Sequence, residues 1–305
     1  MAEMPKETYP FFTLSNANQL GSGFGFGFFD QPSKPTEPLP PPTEVIPSEE
    51  KSPADSNADP IEIASGLTLL KGKVSTFDVF GVSNSDLVPG KYEGGLKLWE
   101  GSIDLVKALH FEVQESRLMI KGKRVLELGC GHGLPGIFTL IEGATTVHFQ
   151  DFNAEVLKFL TIPNVKANLE QVSNKTEANI SSDVRYFSGD WSEVHKLLLP
   201  KCSNEQQNTL DNSSSDGYDV ILMAETVYEL SSLQSLYDLI KKCLLRPSGV
   251  VYVAGKKHYF GVGGGTRQFL LVVEEDGVME SHLVAEVADG SSNVREVWKF
   301  SYKEA

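Results

Sequence analysis

Cysteine is scarce: only Cys130, Cys202 and Cys243 occur in 305 residues. An odd, widely spaced set argues against a disulfide framework and against a paired-cysteine zinc site, and fits a reducing compartment. The six histidines are scattered without ligand spacing, so no metal centre is expected. No apolar run approaches the roughly 20 residues of a membrane-spanning helix. The first residues, with Glu3, Lys6 and Glu7, lack the apolar stretch of a secretory leader. Basic residues are also in deficit, 27 Lys and Arg against 41 Asp and Glu, for a net charge of −14. That balance argues against direct nucleic-acid binding. It leaves two readings open, plain solubility or attraction to a basic partner such as a ribosomal protein or histone. With no basic cluster to mark import, the expected location is cytoplasmic, nuclear or both, and the expected state is a monomer.

What is present is unevenly distributed. Residues 1–60 hold eleven of the sixteen prolines and nine acids against three bases. Such a stretch buries too little apolar surface to offset its ordering entropy, and the composition predicts a disordered tail. Gly23–Phe29 (GFGFGFF) is an island within it, either a short docking motif or unstructured low complexity. Residues 61–90 read as an N-terminal extension, and the main domain is expected over 91–305. There, strand-like and helix-like blocks alternate, which predicts a parallel α/β sheet. Strands are predicted at 124–130, 145–151, 184–190, 218–226 and 249–255. Helices are predicted at 133–142, at 154–168 with an interruption near Pro163, from 190 through Leu199, at 233–245 and at 267–275. Lys201–Gly217 reads as a polar surface insertion. Two alternating runs at 279–287 and 294–302, joined at Asp289-Gly290, predict a closing hairpin. The expected fold is a doubly wound, Rossmann-like seven-stranded sheet. A dinucleotide-dependent dehydrogenase would instead continue with parallel strands and a substrate domain.

The chemistry concentrates at the carboxyl ends of these strands. Gly129, Gly131 and Gly133, with Gly136 beyond, form a turn that lets backbone approach a ligand at a helix N-terminus. The same spacing also matches a dinucleotide fingerprint, and a tight turn with no ligand has it too. Asp151 lies 20 residues after Gly131, where a carboxylate accepts ribose hydroxyls; it is also a competent helix cap. Phe152 and Asn153 follow and are placed to flank an adenosine. Gly189-Asp190-Trp191 suits an adenine amino group and ring face, or capping and core packing. Glu225 and Tyr228, three apart after the fourth strand, are candidates to face a reaction cleft. In Lys91–Glu100 (KYEGGLKLWE) the glycines preclude a regular helix before about Leu98, and Trp99 is either a cover for the cofactor or core. His132 reads as filling a permissive loop position. Tyr259 precedes Gly263, Gly264 and Gly265, which imply a mobile substrate gate or a closely packed loop.

Taken together, KYEGGLKLWE (91–100), VLELGCGHGLPGI (125–137), HFQDFN (148–153), IPNVKAN (162–168), FSGDW (187–191), ETVY (225–228) and HYFGVGGG (258–265) resemble one family. It is the protein-histidine methyltransferases of the type called histidine protein methyltransferase 1 in yeast and methyltransferase-like protein eighteen in animals. The resemblance covers roughly 90–302. It implies S-adenosylmethionine as cofactor and a histidine side chain as acceptor, methylated on its tele nitrogen in a large-subunit ribosomal protein. It also implies cofactor contacts at Trp99, Gly129, Gly131, Asp151, Asn153, Gly189, Asp190 and Trp191, with Thr226 lining the cleft. Glu225, Tyr228 and Tyr259 are the candidate catalytic residues, Glu225 to accept the second ring N–H and a tyrosine to position the ring. Two rival readings stand beside it: a lysine methyltransferase of the same branch, and a catalytically silent module that docks ribosomal proteins.

Overall fold

The computed structural model describes residues 41–48, 58–82, 85–88, 90–176, 181–199, 217–288, 290 and 293–304. The centre of the molecule is β4 (Arg124–Leu128), β5 (Thr146–Asp151), β6 (Asp183–Ser188), β7 (Val220–Ala224) and β8 (Val250–Lys256), all parallel to one another. β4, β7 and β8 are mainly apolar runs because both faces of the sheet are covered there. Side chains alternate between the two cores: Val125, Val220 and Leu222 face one, Leu126, Ile221 and Met223 the other. The first core is roofed by α2 (Glu100–Gln114), α3 (Leu134–Ile141) and α5 (Ile162–Thr176). The second is roofed by α7 (Leu233–Cys243) and α8 (Thr266–Asp276).

The closing hairpin forms as expected. β9 (Met279–Ala288) and β10 (Val294–Tyr302) pair antiparallel, and β10 pairs antiparallel with β8. The sheet order runs β6-β5-β4-β7-β8-β10-β9, with β1 (Thr43–Glu44) added antiparallel at the β6 edge, so the sheet has eight strands rather than seven. From β4 the chain winds outward first to β5 and β6, then returns to β7 and β8. The carboxyl ends of β4 and β7 therefore flank a topological switch point, the place where such sheets bind ligands.

Three expectations need correction. Within the stretch predicted as a disordered tail, residues 41–48 are ordered, and β2 (Asp59–Ala64) already begins before residue 61. Residues 1–40 and 49–57, including Gly23–Phe29, lie outside the described residues, as do 201–216 of the polar insertion and Asp289 of the hairpin turn. β2 pairs with β3 (Leu67–Lys71), and this hairpin is clamped to α5: Asn168 bonds both the N–H and the C=O of Leu70, and Asn164 accepts from Gly72 N at 2.6 Å.

Second, Pro163 does not interrupt its helix. After α4 (Ala154–Val156) a π-helical turn at Leu157–Thr161 leads directly into α5, which runs on to Thr176. The wider turn immediately ahead of the proline accommodates a residue with neither an N–H nor room for the preceding carbonyl. Third, the helix predicted to run through Leu199 is only one turn, α6 (His195–Leu198), preceded by turns.

Candidate active site

A cleft opens at the switch point. Its walls come from the turns after β4, β5, β6 and β7 and from the segment ahead of α2. Ten residues singled out from the sequence line it: Trp99, Gly129, Asp151, Phe152, Gly189, Asp190, Trp191, Glu225, Thr226 and Tyr228. Gly131, Gly133, Asn153 and Tyr259 lie behind the wall and act through it.

Gly131 donates its N–H to Asp151 Oδ2 at 3.0 Å, while Asp151 Oδ1 accepts from Asn153 N at 3.1 Å. The carboxylate that ends β5 is thus fixed by two backbone donors at the foot of the glycine turn. Burial pushes Asp151 up to about 6, against the lowering pull of the Asn153 and Gly131 N–H groups. Asn153 uses its amide differently from the expected adenosine contact. It accepts from Glu93 N at 3.1 Å and donates to Lys91 O at 2.9 Å, tying the KYEGG segment to β5. Gly133 caps α3 with φ of +71° and packs against Thr161 and Phe149. Thr161, in the π-turn, donates to Gly131 O at 2.7 Å, so the irregular turn braces the glycine loop. His132 is buried there; burial lowers it to about 4, and its carbonyl accepts from Asn164, so it serves packing.

Two tyrosine–carboxylate pairs close the other side. Tyr228 donates to Glu93 Oε2 at 2.5 Å, and Tyr259 donates to Glu225 Oε2. Glu225 Oε1 also accepts from Gly101 N at 3.1 Å, tethering the first turn of α2. Glu225 adopts φ of +58°, rare for a non-glycine residue and typical of strained functional turns. Burial raises its pKa above the ordinary glutamate value, partly offset by Tyr259, Lys256 and Gly101. Both tyrosines are held far above the usual phenol range, chiefly by burial and then by their carboxylates, so each remains a donor. The glycine-rich loop is closely packed at its end: a Cβ on Gly264 would lie 2.3 Å from the Tyr228 carbonyl.

Sequence reading missed two residues. Gln150, on β5 and fully buried, accepts from Trp191 Nε1 at 3.0 Å and Gly129 N at 3.3 Å and donates to Gly189 O at 2.8 Å. One side chain thereby links the turns after β4 and β6. Glu93 also lines the cleft, and its place in KYEGG, an acid just before two glycines, was a usable signal.

The lining fits a cationic, adenosine-bearing ligand. Among the described residues it includes five carboxylates (Glu93, Asp151, Asp190, Glu225 and Glu229) and no lysine, arginine or histidine. That field favours a sulfonium and ammonium group and opposes the pyrophosphate of a dinucleotide. Thr226 lines the cleft, and its buried hydroxyl has no hydrogen-bond partner among the described residues; a buried hydroxyl without a partner is costly unless a ligand supplies one. A Cβ on Gly129, which sits at φ of +60°, would be 2.6 Å from Thr226 Cγ2, so only glycine fits the floor.

Known proteins resemble the chain over the region that builds this cleft. A family model described as "Lysine methyltransferase" matches residues 89–274. The "Histidine protein methyltransferase 1 homolog" of Dictyostelium discoideum is 40% identical over 222 residues, covering 73% of this chain and 62% of that protein. The Bos taurus protein of the same name is 39% identical over 222 residues, covering 68% and 56%. A "Protein N-terminal and lysine N-methyltransferase EFM7" of Yarrowia lipolytica is 25% identical over 178 residues, covering 57% and 62%. The chain thus spans 56–62% of the length of these relatives. Among solved structures, magnesium protoporphyrin IX methyltransferase of Synechocystis PCC 6803 with bound SAM aligns at a TM-score of 0.43 and 10% identity, covering 66% of this chain and 79% of that one. Because the family model spans more than half of the sequence, over the strands and turns that build the cleft, the chain belongs to the lysine methyltransferase family which that model describes.

Proposed function

We propose that the protein is an S-adenosylmethionine-dependent protein-histidine N-methyltransferase. Its proposed acceptor is a basic large-subunit ribosomal protein, methylated on the tele nitrogen in the cytoplasm or nucleus. The observation that carries this reading is the 39–40% identity to histidine protein methyltransferase 1 homologues, against 25% to the lysine and N-terminal enzyme. The intact, acid-lined cleft supports activity over a silent docking role.

When bound, the cofactor supplies an electrophilic methyl group on a sulfonium. In this reading Asp151 accepts the ribose hydroxyls, Thr226 bonds the ligand, and Trp99 and Trp191 flank it; all four line the cleft. A neutral imidazole is a competent nucleophile near neutral pH, with an ordinary pKa of ~6.5. The protein therefore has to orient the ring rather than abstract a proton before attack. Each Glu225 oxygen holds one protein donor and retains a further lone pair. The carboxylate is thereby able to accept the second ring N–H and to stabilise the imidazolium as charge develops. Tyr259 fixes that carboxylate, and the Tyr228–Glu93 pair forms the facing wall.

The outer rim carries Leu230, Phe260 and Val262, exposed by 55%, 76% and 46%. An antiparallel bridge between Glu229 and Gly263 brings these two loops together beside the cleft. Exposed apolar side chains next to an acidic mouth suit a basic polypeptide with an apolar anchor. Phe260→Ser is expected to raise KM for the protein acceptor ~10-fold, the loss of one buried aromatic anchor. Affinity for S-adenosylhomocysteine should stay unchanged in a calorimetric titration.

Asp151 gives a pH prediction. Only its ionised form accepts both ribose hydroxyls, and its value near 6 means ionisation is lost as pH falls through 6. The dissociation constant for S-adenosylhomocysteine should therefore be ~10-fold higher at pH 5 than at pH 8, by proton linkage. A flat profile would show that Asp151 does not bind the ligand as an anion.

The acceptor is tested by incubating the protein and labelled S-adenosylmethionine with large-subunit ribosomal proteins from cells lacking the enzyme. One labelled band is the expected result. Label absent from that fraction but present elsewhere in the lysate would remove the ribosomal assignment.

A further inference from the structure

The turn at Gly189-Asp190 belongs to the cleft, yet part of what holds it comes from far outside the family-matched region. Residues 41–48 run along the β6 edge, more than forty residues ahead of residue 89 where the family model begins. Thr43 pairs with Ser188 and Glu44 with Phe187, Val45 N bonds Tyr186 O at 2.8 Å, and Ser188 Oγ donates to Thr43 O at 3.3 Å. Arg185 grips Glu44 with a two-pronged ion pair at 2.8 and 2.7 Å, and Val45 is buried. The pair holds Glu44 below the usual carboxylate range, mainly through the Arg185 hydrogen bond. Bidentate geometry of this kind is the arrangement in which a partly exposed ion pair contributes.

The strap reaches the cofactor wall at one point. Gly189 sits at φ of +136°, and a Cβ there would lie 2.8 Å from Pro42 Cα. Its N–H bonds Asp151 O at 3.1 Å, its C=O accepts from Gln150 at 2.8 Å, and Pro42 covers its remaining face. Phe152 and Gly189 line both the cleft and the groove under the strap, so the wall between them is one residue thick.

We propose that residues 41–48 are a positioning strap for the cofactor, holding the Gly189-Asp190 turn against β5 from outside. The inference rests on the cofactor reading above. Without the strap, the turn keeps its two hydrogen bonds to β5 but loses the packing of Pro42 on Gly189, the residue that leads into Asp190 and Trp191. The strap contributes to affinity by preorganisation, not by touching the ligand.

The test uses the full chain and S-adenosylhomocysteine titrated by calorimetry, with the melting temperature of the ligand-free protein measured alongside. Glu44→Arg sets like charges against Arg185, Val45→Asp places a carboxylate in a buried site, and Glu44→Arg with Arg185→Glu restores the pair reversed. The expected result is a dissociation constant raised at least fivefold in each single variant, with melting of Glu44→Arg within a few degrees of wild type, and affinity within twofold of wild type in the charge-swapped double variant. Should Val45→Asp also melt far lower, Glu44→Arg and its rescue decide. Wild-type affinity in both single variants, or a loss that the swap does not restore, overturns the strap. Absence of binding by the wild-type protein would instead overturn the cofactor reading and the strap with it.

Discussion

Glu225→Gln should lower kcat by ~100-fold or more while leaving affinity for S-adenosylhomocysteine within a few-fold, the range for losing a group that stabilises developing charge. Glu225 is held at φ of +58° by its N–H bond to Ala254 O, which aims the side chain across the end of β7. There its oxygens meet Gly101 N and the Tyr259 hydroxyl. Glutamine keeps the shape but offers one acceptor oxygen instead of two, and turns an NH2 group toward one of these donors. In the proposed reaction, the negative charge opposite the forming imidazolium is lost as well. Burial raises the wild-type carboxylate above the ordinary glutamate value, so its charge disappears as pH falls through that raised value. Wild-type kcat should therefore carry a Glu225 limb on the acid side at a higher pH than an exposed glutamate would give, and the variant should keep only the fall set by protonation of the acceptor imidazole. A purely structural role for Glu225 would leave the shape of the pH profile intact.

Gln150→Leu should raise the dissociation constant for S-adenosylhomocysteine by at least ~30-fold and lower folding stability by about 2–4 kcal/mol, the cost of leaving buried polar groups without partners. The side chain is wholly inaccessible, and leucine, although close in volume, satisfies none of its three contacts. The Trp191 indole N–H, the Gly129 N–H and the Gly189 C=O would then compete for water or shift. Because these groups stand on two turns that line the cleft, the affinity loss should exceed that of a core substitution with equal loss of stability. Val147→Ala, in the same strand but away from the cleft, provides that comparison.

The central part of the fold was legible because its physics is local. VLEL and VILM are mainly apolar runs covered on both faces, and the β9–β10 hairpin shows the alternation of strands with one drier face. The glycine turn and Asp151 were legible because backbone approach and a strand-end acid are sequence-local requirements. The strap was hidden: two paired residues in a proline-rich acidic stretch gain their order from Arg185, 141 positions away. Gln150 looked like an ordinary strand residue, since its three partners arrive only when β4, β5 and β6 are assembled. The tyrosine pairings were hidden for the same reason. Glu225 and Tyr228 are near in sequence and both reach the cleft, but Tyr228 bonds Glu93, 135 positions away. Pro163 misled because a proline inside a helical pattern ordinarily signals a break, and the π-turn ahead of it gives no sequence cue.

The most direct measurement is the chemical identity of the methylated residue. Labelled acceptor protein, produced by the wild-type enzyme and by Glu225→Gln side by side, would be hydrolysed to amino acids and the label separated by chromatography. Label recovered as tele-methylhistidine, and sharply reduced in the variant, is the predicted result. Label recovered as methyl-lysine would retain the fold and the cofactor cleft and contradict the assignment to histidine.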